Sequence, residues 1–520
     1  MNNEKYLYNR ITSKNTDFVM WMGFPGIYSF SMSSLGYLWM FKSLDEIAGV
    51  NIERICSDTV NTQYNISEVK VFGFSFSFDM DFLTIFAMLE KYNLPLKAKD
   101  RDKYPLIFAG GPVVSANPEP YKEFFDFFII GDGEDVNLKV IDICKSNQDK
   151  PKAEILELLS ELEGVYVPTN AKKVKKLTKK LSECIYTPVL SSNAFFKDTF
   201  ILEMSRGCAN RCGFCLASYL NLPLRCVPYE KLIETINLGL KYTNKIALLG
   251  AQISAHPHFH DVCKYIYDKI QNGERIEMSV SSLRVDAITP DVVRTLVAAG
   301  QKNSTLAIEA GSDRLRKVIN KNLTENQIFE AVKIARDNGL KGLKFYGMIG
   351  LPTETQEDLE EIINLAKKLK KENKGFDISF GFSSFVPKPN TPFQWCGRET
   401  TKLLEEKSNF LKKELHKIGI TAHISSVKWD YWQAVLSRGD SSLNDFILKV
   451  YQYGGKLGAF KKAAKELNLN TDSFATENYD FSKQLPWDFI DIKPGKDFLI
   501  QENQRLICSK QLEYSLNIQD

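Results

Sequence analysis

Residues 206 to 215 read Arg-Gly-Cys-Ala-Asn-Arg-Cys-Gly-Phe-Cys. Cys208, Cys212 and Cys215 therefore stand at C-x3-C-x2-C spacing. Iron–sulfur clusters are held by Cys thiolates, usually four of them. A trio this tight suits three irons of a [4Fe–4S] cube and leaves the fourth iron open to chelate a small molecule and pass it an electron. Zinc usually takes four ligands in paired spacings, and no second pair lies nearby. A disulfide framework needs an even count and an oxidising compartment.

The trio follows a strand candidate, Thr199 to Met204, directly. Five more apolar runs come after it: Lys245 to Gly250, Glu277 to Leu283, Ser304 to Ala310, Leu343 to Ile349 and Phe376 to Phe382. The first five of the six runs are each trailed by a helical pattern, clearest at Asp358 to Lys370. Such alternation predicts a partial (β/α)6 barrel over residues 196–400, with reactive groups at the carboxyl ends of its strands.

The cysteine pattern, with Phe214 in its aromatic place, resembles the signature of the radical S-adenosylmethionine (SAM) superfamily. The resemblance implies that SAM chelates the open iron and is cleaved reductively to methionine and a 5′-deoxyadenosyl radical. It makes Cys208, Cys212 and Cys215 both the metal ligands and the catalytic centre, with Arg206 and Arg211 near enough to favour the thiolates. It also implies that Phe214 packs on the adenine of SAM. The run Glu309-Ala-Gly-Ser-Asp-Arg-Leu-Arg316 is similar to members that carry an N-terminal cobalamin-type domain. By that likeness Glu309 contacts the SAM ribose or amino group, Gly311 admits the ligand to the backbone and Arg316 holds the SAM carboxylate. Ser312 is expected to cap the following helix. Gly250 and Gln252 stand where many members have Gly-Gly-Glu, so the contact to the SAM amino group is in doubt there. Ser282 and Arg284 are expected to line the SAM pocket, and Met348 and Gly350, in a glycine-rich turn, to meet adenine through the backbone. The helix after that turn is expected to begin at Thr353.

Residues 1–165 alternate short apolar runs with helical patterns, which predicts β/α units on a parallel sheet. The strand candidates are Asp17 to Phe24, Asn51 to Cys56, Val69 to Phe76, Pro105 to Pro112 and Phe124 to Gly131. Glycines at the ends of such strands let a ligand approach the carboxyl edge of an open sheet. Gly110, Gly111, Gly131 and Gly133 are the candidates, and tight turns are the simpler explanation. The set resembles the flavodoxin-like, cobalamin-binding-type domain that precedes many radical SAM cores. Cobalamin domains with Asp-x-His-x-x-Gly ligate cobalt through His, and here no His precedes His256. Any cobalamin would therefore bind without a histidine lower ligand, and its presence is left open.

Residues 166–195 read as a connector. Lys172 to Lys180 holds six lysines and no aromatic residue, which suits a solvated face better than an RNA contact. His256, His258 and His260 follow the second barrel strand; a polar loop is favoured over a metal or acid–base site. Residues 401–520 read as mostly helical. Arg438-Gly-Asp440 reads as a local turn.

The chain has 520 residues, a net charge of +3 and 44% hydrophobic residues, ordinary for a globular protein and without a global field for nucleic acid or membrane. Its ten cysteines do not form a disulfide scaffold, and Cys508 and most of the others outside the trio read as buried small hydrophobes. There is no signal-peptide pattern and no apolar run long enough to span a membrane, so a cytoplasmic location is expected. The expected function is a radical SAM enzyme that modifies an unactivated carbon, with cobalamin-dependent methyl transfer as one outcome. Its electron donor would be a reduced ferredoxin or flavodoxin. Two alternatives stand beside it: cobalamin-independent modification of RNA, and a non-catalytic iron–sulfur scaffold. Substrate, product and oligomeric state are not readable from these residues.

Overall fold

A computed structural model describes residues 3–10, 18–170 and 172–507. Asp17 and Cys508 lie outside the described residues. The first sheet carries β1 (Val19–Phe24), β2 (Asn51–Cys56), β3 (Val69–Ser75), β4 (Leu106–Gly110), β5 (Phe127–Ile129) and β6 (Val165–Tyr166), in the order β2-β1-β3-β4-β5-β6. All neighbours are parallel except the β5–β6 pair. The order over β1 to β5 is the flavodoxin-like one, whose switch point falls between β1 and β3. The central strands are mostly apolar because both faces are covered, as parallel sheets demand, while edge strand β2 carries Glu53 and Arg54 at half-buried positions. On one face Met20, Val71, Phe108 and Phe127 meet Tyr37, Leu38 and Phe41 of α1 (Leu35–Asp45) and the helices Glu134–Ser146 and Lys152–Ser160. On the other, Trp21, Phe72, Phe74 and Phe128 meet α2 (Phe82–Lys91) together with Trp432, Phe446 and Phe460 from the C-terminal helices. The C-terminal region is thus the outer layer of the first sheet.

The second sheet is the barrel. It holds β7 (Phe200–Glu203), β8 (Lys245–Leu249), β9 (Glu277–Val280), β10 (Asn303–Glu309), β11 (Gly342–Ile349), β12 (Asp377–Ser384) and β13 (Thr421–Ile424). The first three pair in parallel, the last four pair in parallel, and a parallel bridge from Leu283 to Leu306 joins the two sets. All six expected strands form. The sheet does not stop at residue 400, however: β13 adds a seventh parallel strand, since Thr421–Ile424 follows an amphipathic helix, Thr401–Lys417, and completes one more helix–strand unit. The helix after β11 begins at Gln356, not Thr353, because Thr355 and Asp358 form its capping box while Thr353 has φ +67°. Ser312 does cap its helix, accepting from the Leu315 N–H at 3.0 Å.

The barrel strands alternate. On β11, Leu343, Phe345 and Ile349 are buried against the outer helices, while Lys344, Tyr346 and Met348 face inward and are at least partly accessible. Among the described residues no helix is long and apolar enough to cross a membrane.

Candidate active site

The cysteine loop leaves β7 through a short strand, Ser205–Arg206, that pairs antiparallel with Arg225–Cys226. Gly207 then turns with φ +87°, and a Cβ there would lie 2.3 Å from the Asn221 carbonyl oxygen. Only glycine fits this crossing. Cys208 and Cys212 are buried, and Cys215 is half-buried at the N-cap of the helix Leu216–Leu220. The loop is fastened from outside. Gly213 N donates to Ile319 O at 3.1 Å, and Asn320 Nδ2 donates to the carbonyls of Asn210 and Arg211 at 2.9 and 3.0 Å. Phe393 N, after β12, donates to Gly213 O at 3.1 Å.

Burial pushes the Cys212 thiol up to about 12, with Cys215, Glu309 and Cys208 adding repulsion and Lys321 opposing it. Burial also raises Cys215, again with Cys208 and Glu309 contributing. The three thiols and Glu309 thus share one small field. The cation that relieves it is Lys321, whose Nζ lies 3.1 Å from Glu309 Oε1. The expected helpers act elsewhere. Arg206 pairs with Asp132, Glu134 and Glu203 at 2.9, 2.8 and 2.8 Å, and Arg211 lies over the Phe498 ring. A thiolate requires its proton to leave, so a cluster that takes the Cys212 and Cys215 thiolates would reverse the upward shift of those two. Among the described residues no group of His, Cys, Asp or Glu draws together around a single metal ion. A cube with one thiolate per iron needs no such convergence.

The other expected residues fall into two groups. Around the trio, Gln252 Oε1 accepts from the Cys208 thiol at 3.2 Å and from Asn210 Nδ2. Gly250 lies against Ser205, where a Cβ would come 2.8 Å from Oγ. Glu309 ends β10 with φ +66°, a conformation that a non-glycine residue holds only when its surroundings impose it. Phe214 and Met348 pack on one small apolar cluster with Ala310, Ile319 and Phe385. Ser282 is exposed past the end of β9. Arg284 pairs with Asp286.

In the second group the backbone, not the mouth, uses the residue. Arg316, expected to hold a carboxylate, is fully buried; it donates to the carbonyls of Leu323, Ala310 and Gly311 at 2.7–2.8 Å and pairs with Asp313. Gly311 is glycine because a Cβ would sit 2.3 Å from Ile362 N on the neighbouring helix. Gly350, with φ +72°, presses on Leu404 and donates its N–H to Glu354 Oε1 at 2.8 Å. Glu354 shares Lys407 with Glu399, both at 2.7 Å, and burial raises its carboxyl to about 7. His256 is a packing residue: Nδ1 accepts from His258 N at 3.0 Å, so Nε2 donates to Val227 O at 2.8 Å. Arg438 is buried over the Tyr479 ring, as a local structural residue.

The carboxyl edge of the first sheet opens on a cavity of about 570 Å³. Met22, Ser75, Gly110 and Ile129 line it from the strand ends, and Glu203, Arg206, Leu220 and Asn221, which flank the trio, line it from the barrel side. The four edge glycines differ. A Cβ at Gly110 would meet only Ile129, at 3.8 Å, an ordinary contact, so this edge has room beside the backbone and forms a cradle. Gly111 and Gly131, at φ +123° and +97°, instead pass the backbones of Phe76 and Leu177, where a Cβ would lie 2.5 and 2.3 Å from carbonyl oxygens. Gly133 lies against Asn137. Two polar groups point to a ligand that reasoning from the sequence missed. Glu134 Oε2 is buried with no partner. Lys176 is buried in the cavity wall, bonded to Thr178 Oγ1 at 3.0 Å, and burial lowers its ammonium to about 8. The lysine run is therefore no uniform solvated face. Lys172 and Lys175 pair with Glu161 and Glu163, Lys179 pairs with Asp135, and Lys176 turns inward.

Two family models match the chain: "Radical SAM proteins, N-terminal" over residues 41–168 and "Radical SAM superfamily" over residues 202–366. The uncharacterized protein MJ0966 of Methanocaldococcus jannaschii is 36% identical over 383 residues, covering 71% of this chain and 80% of that protein. The threonylcarbamoyladenosine tRNA methylthiotransferase MtaB of Aquifex aeolicus is 22% identical, covering 62% of this chain and 72% of that protein. Among solved structures, the cobalamin-dependent SAM radical enzyme OxsB, with aqua-cobalamin and SAM bound, superposes with a TM-score of 0.53 at 14% identity, covering 96% of this chain and 80% of that one. That likeness extends over both sheets and the C-terminal layer.

Proposed function

This chain belongs to the radical SAM superfamily, and from that premise we propose that it is a cobalamin-dependent member that transfers a methyl group, or makes a related change, at an unactivated carbon. Membership makes a [4Fe–4S] cluster and SAM its cofactors, with Cys208, Cys212 and Cys215 as the cluster ligands. The observation that carries the cobalamin reading is the shared wall: the cavity at the flavodoxin-like edge is closed by residues on both sides of the cysteine loop. A ligand held there adjoins the cluster site.

The donor set fits a large ring system with polar edges. Met20, Met22 and Phe108 offer apolar wall, Gly110 leaves a cradle that a Cβ would fill, and Glu134 and Lys176 supply buried polar groups. Among the described residues no histidine lines the cavity, so the reading requires a cobalt with no histidine ligand from this wall. When bound, the cluster with SAM supplies a carbon radical and cobalamin supplies a transferable methyl group. The chain's own residues do the rest. Glu309 and Gln252 stand beside the trio as polar contacts for SAM, and Phe214 with Met348 offers an apolar patch for a flat base. The Arg206–Asp132–Glu134 ion pairs lock the first sheet to the cysteine loop and help exclude water.

MtaB's name keeps RNA modification as the second reading. Three lysines of the 172–180 run pair with carboxylates and Lys176 is buried, which among the described residues leaves only Lys173 and Lys180 as exposed cations without an ion pair and weakens that run as an RNA anchor.

The test is anaerobic reconstitution with SAM and dithionite. The reading expects 5′-deoxyadenosine and methionine well above a Cys212→Ala control. Product no higher than the control would remove the enzyme reading.

A further inference from the structure

The barrel's inner face has an open floor. Strand register sets Ala307, Tyr346, Gly381 and His423 side by side across β10 to β13, with Lys344 one row deeper. Tyr346 is 43% exposed on a strand in the middle of a sheet. Its neighbours in register are alanine and glycine, so nothing beside it fills the space. Gly381 is a cut-out: a Cβ there would come 3.0 Å from the Tyr346 ring and 3.1 Å from Lys344 Cε. Lys344 Nζ lies 4.9 Å from the Tyr346 ring centre. Since Tyr346 is nearer the carboxyl end, this contact turns the ammonium toward the mouth. No carboxylate pairs with Lys344 among the described residues. A half-buried ammonium with only a ring for company is a poor end state unless an anion joins it.

We propose that Lys344 anchors the anionic end of a small-molecule substrate, a carboxylate or phosphate, whose flat or apolar body lies along Tyr346 toward His423. The inference rests on the radical SAM reading above and names the substrate class of that site. Depth selects a small molecule over RNA. The Lys344 backbone lies four residues before Met348, about 13 Å below the mouth along the strand, and its ammonium, turned up over the Tyr346 ring, lies level with a residue two before Met348, about 7 Å down inside the barrel. A nucleotide extruded into an active site enters base first and keeps its phosphates at the rim. An anion this deep is the end of a free molecule.

The experiment is calorimetry on the full chain carrying its reconstituted cluster. Phenylacetate and phenyl phosphate are the probes, distinguishing the carboxylate from the phosphate source, with inorganic phosphate as the ring-free control. At least one aromatic probe should bind. Lys344→Gln should weaken it tenfold or more, and Lys344→Arg should stay within about threefold. Tyr346→Leu should weaken the aromatic probe and leave inorganic phosphate unchanged. Equal binding by Lys344→Gln and the parent, or no binding by the parent, overturns the proposal. Displacement of the probe by a tRNA anticodon hairpin overturns it in favour of RNA. Iron content and melting of each variant separate misfolding from lost binding. The function is judged apart: absent 5′-deoxyadenosine with intact, Lys344-dependent probe binding would sink the radical reading and leave the anchor standing.

Discussion

The two parallel sheets of this protein are built alike and used differently. The first is covered on both faces, and its central strands are nearly continuous apolar runs; β1 reads Val-Met-Trp-Met-Gly-Phe, and only edge strand β2 carries a charged pair, Glu53 and Arg54. The barrel is covered on one face only, and β11 alternates Leu343 and Phe345 outward with Lys344 and Tyr346 inward. A sheet closed on both faces can offer a ligand only its edge. A sheet closed on one face can offer an interior. Both meet at the cavity, where the carboxyl edge of the first lies against the cysteine loop of the second.

The largest effect tests the point where they meet. Cys212→Ala should abolish the cluster's visible absorbance and lower 5′-deoxyadenosine formation more than a hundredfold, since the trio has no spare member. An unchanged iron count would break the assignment.

The next prediction sets the faces against each other. Phe345→Ala, on the covered face of β11, should cost about 3–5 kcal/mol of stability, as should Phe72→Ala in the first sheet. Tyr346→Ala, one residue along, should change stability by about 0.5 kcal/mol or less. Comparable losses at 345 and 346 in denaturant melts would mean that the barrel interior is packed.

Gly110→Leu sharpens the edge side. It fills the cradle and should lower hydroxocobalamin retention tenfold or more while iron stays unchanged. Equal cobalt in both proteins would separate the cavity from cobalamin.

The smallest effect is a pH dependence. Glu354 and Glu399 share one ammonium, and the Glu354 carboxyl is raised from 4.5 to about 7. A group raised on folding favours the folded state while protonated, so its contribution is full below about pH 4.5 and is lost as pH rises through about 7. The stability of the parent relative to Glu354→Gln should therefore fall across that window. A flat difference would show that Glu354 stays ionised throughout.

Much of this was legible in the residues, for physical reasons. Apolar runs interrupted by helical periods specify parallel strands, and all six expected barrel strands form. Cysteines four and three residues apart are neighbours in any loop, so the trio needed no tertiary information. Glycine meaning was less legible. Gly110 and Gly111 are adjacent, yet one leaves a cradle and the other passes a backbone at 2.5 Å. That difference lies in what crosses the turn, which is remote in sequence. Arg316 and Arg206 misled for the same reason, since a cation's partner is chosen by the fold. Lys176 was hidden in a charged run because it follows the two-residue strand Val174–Lys175, and among six lysines nothing in the sequence marks which one turns inward. β13 was missed because Thr421-Ala-His-Ile424 carries too little hydrophobicity to read as a strand.

On this reading a cluster and cobalamin sit on two sides of one wall. The most direct measurement is anaerobic purification with hydroxocobalamin supplied, followed by an ultraviolet–visible spectrum and iron and cobalt counts. The account predicts roughly four irons, as one [4Fe–4S] cube requires, together with stoichiometric cobalt. Zinc in place of iron, or iron with no cobalt retained, would contradict it.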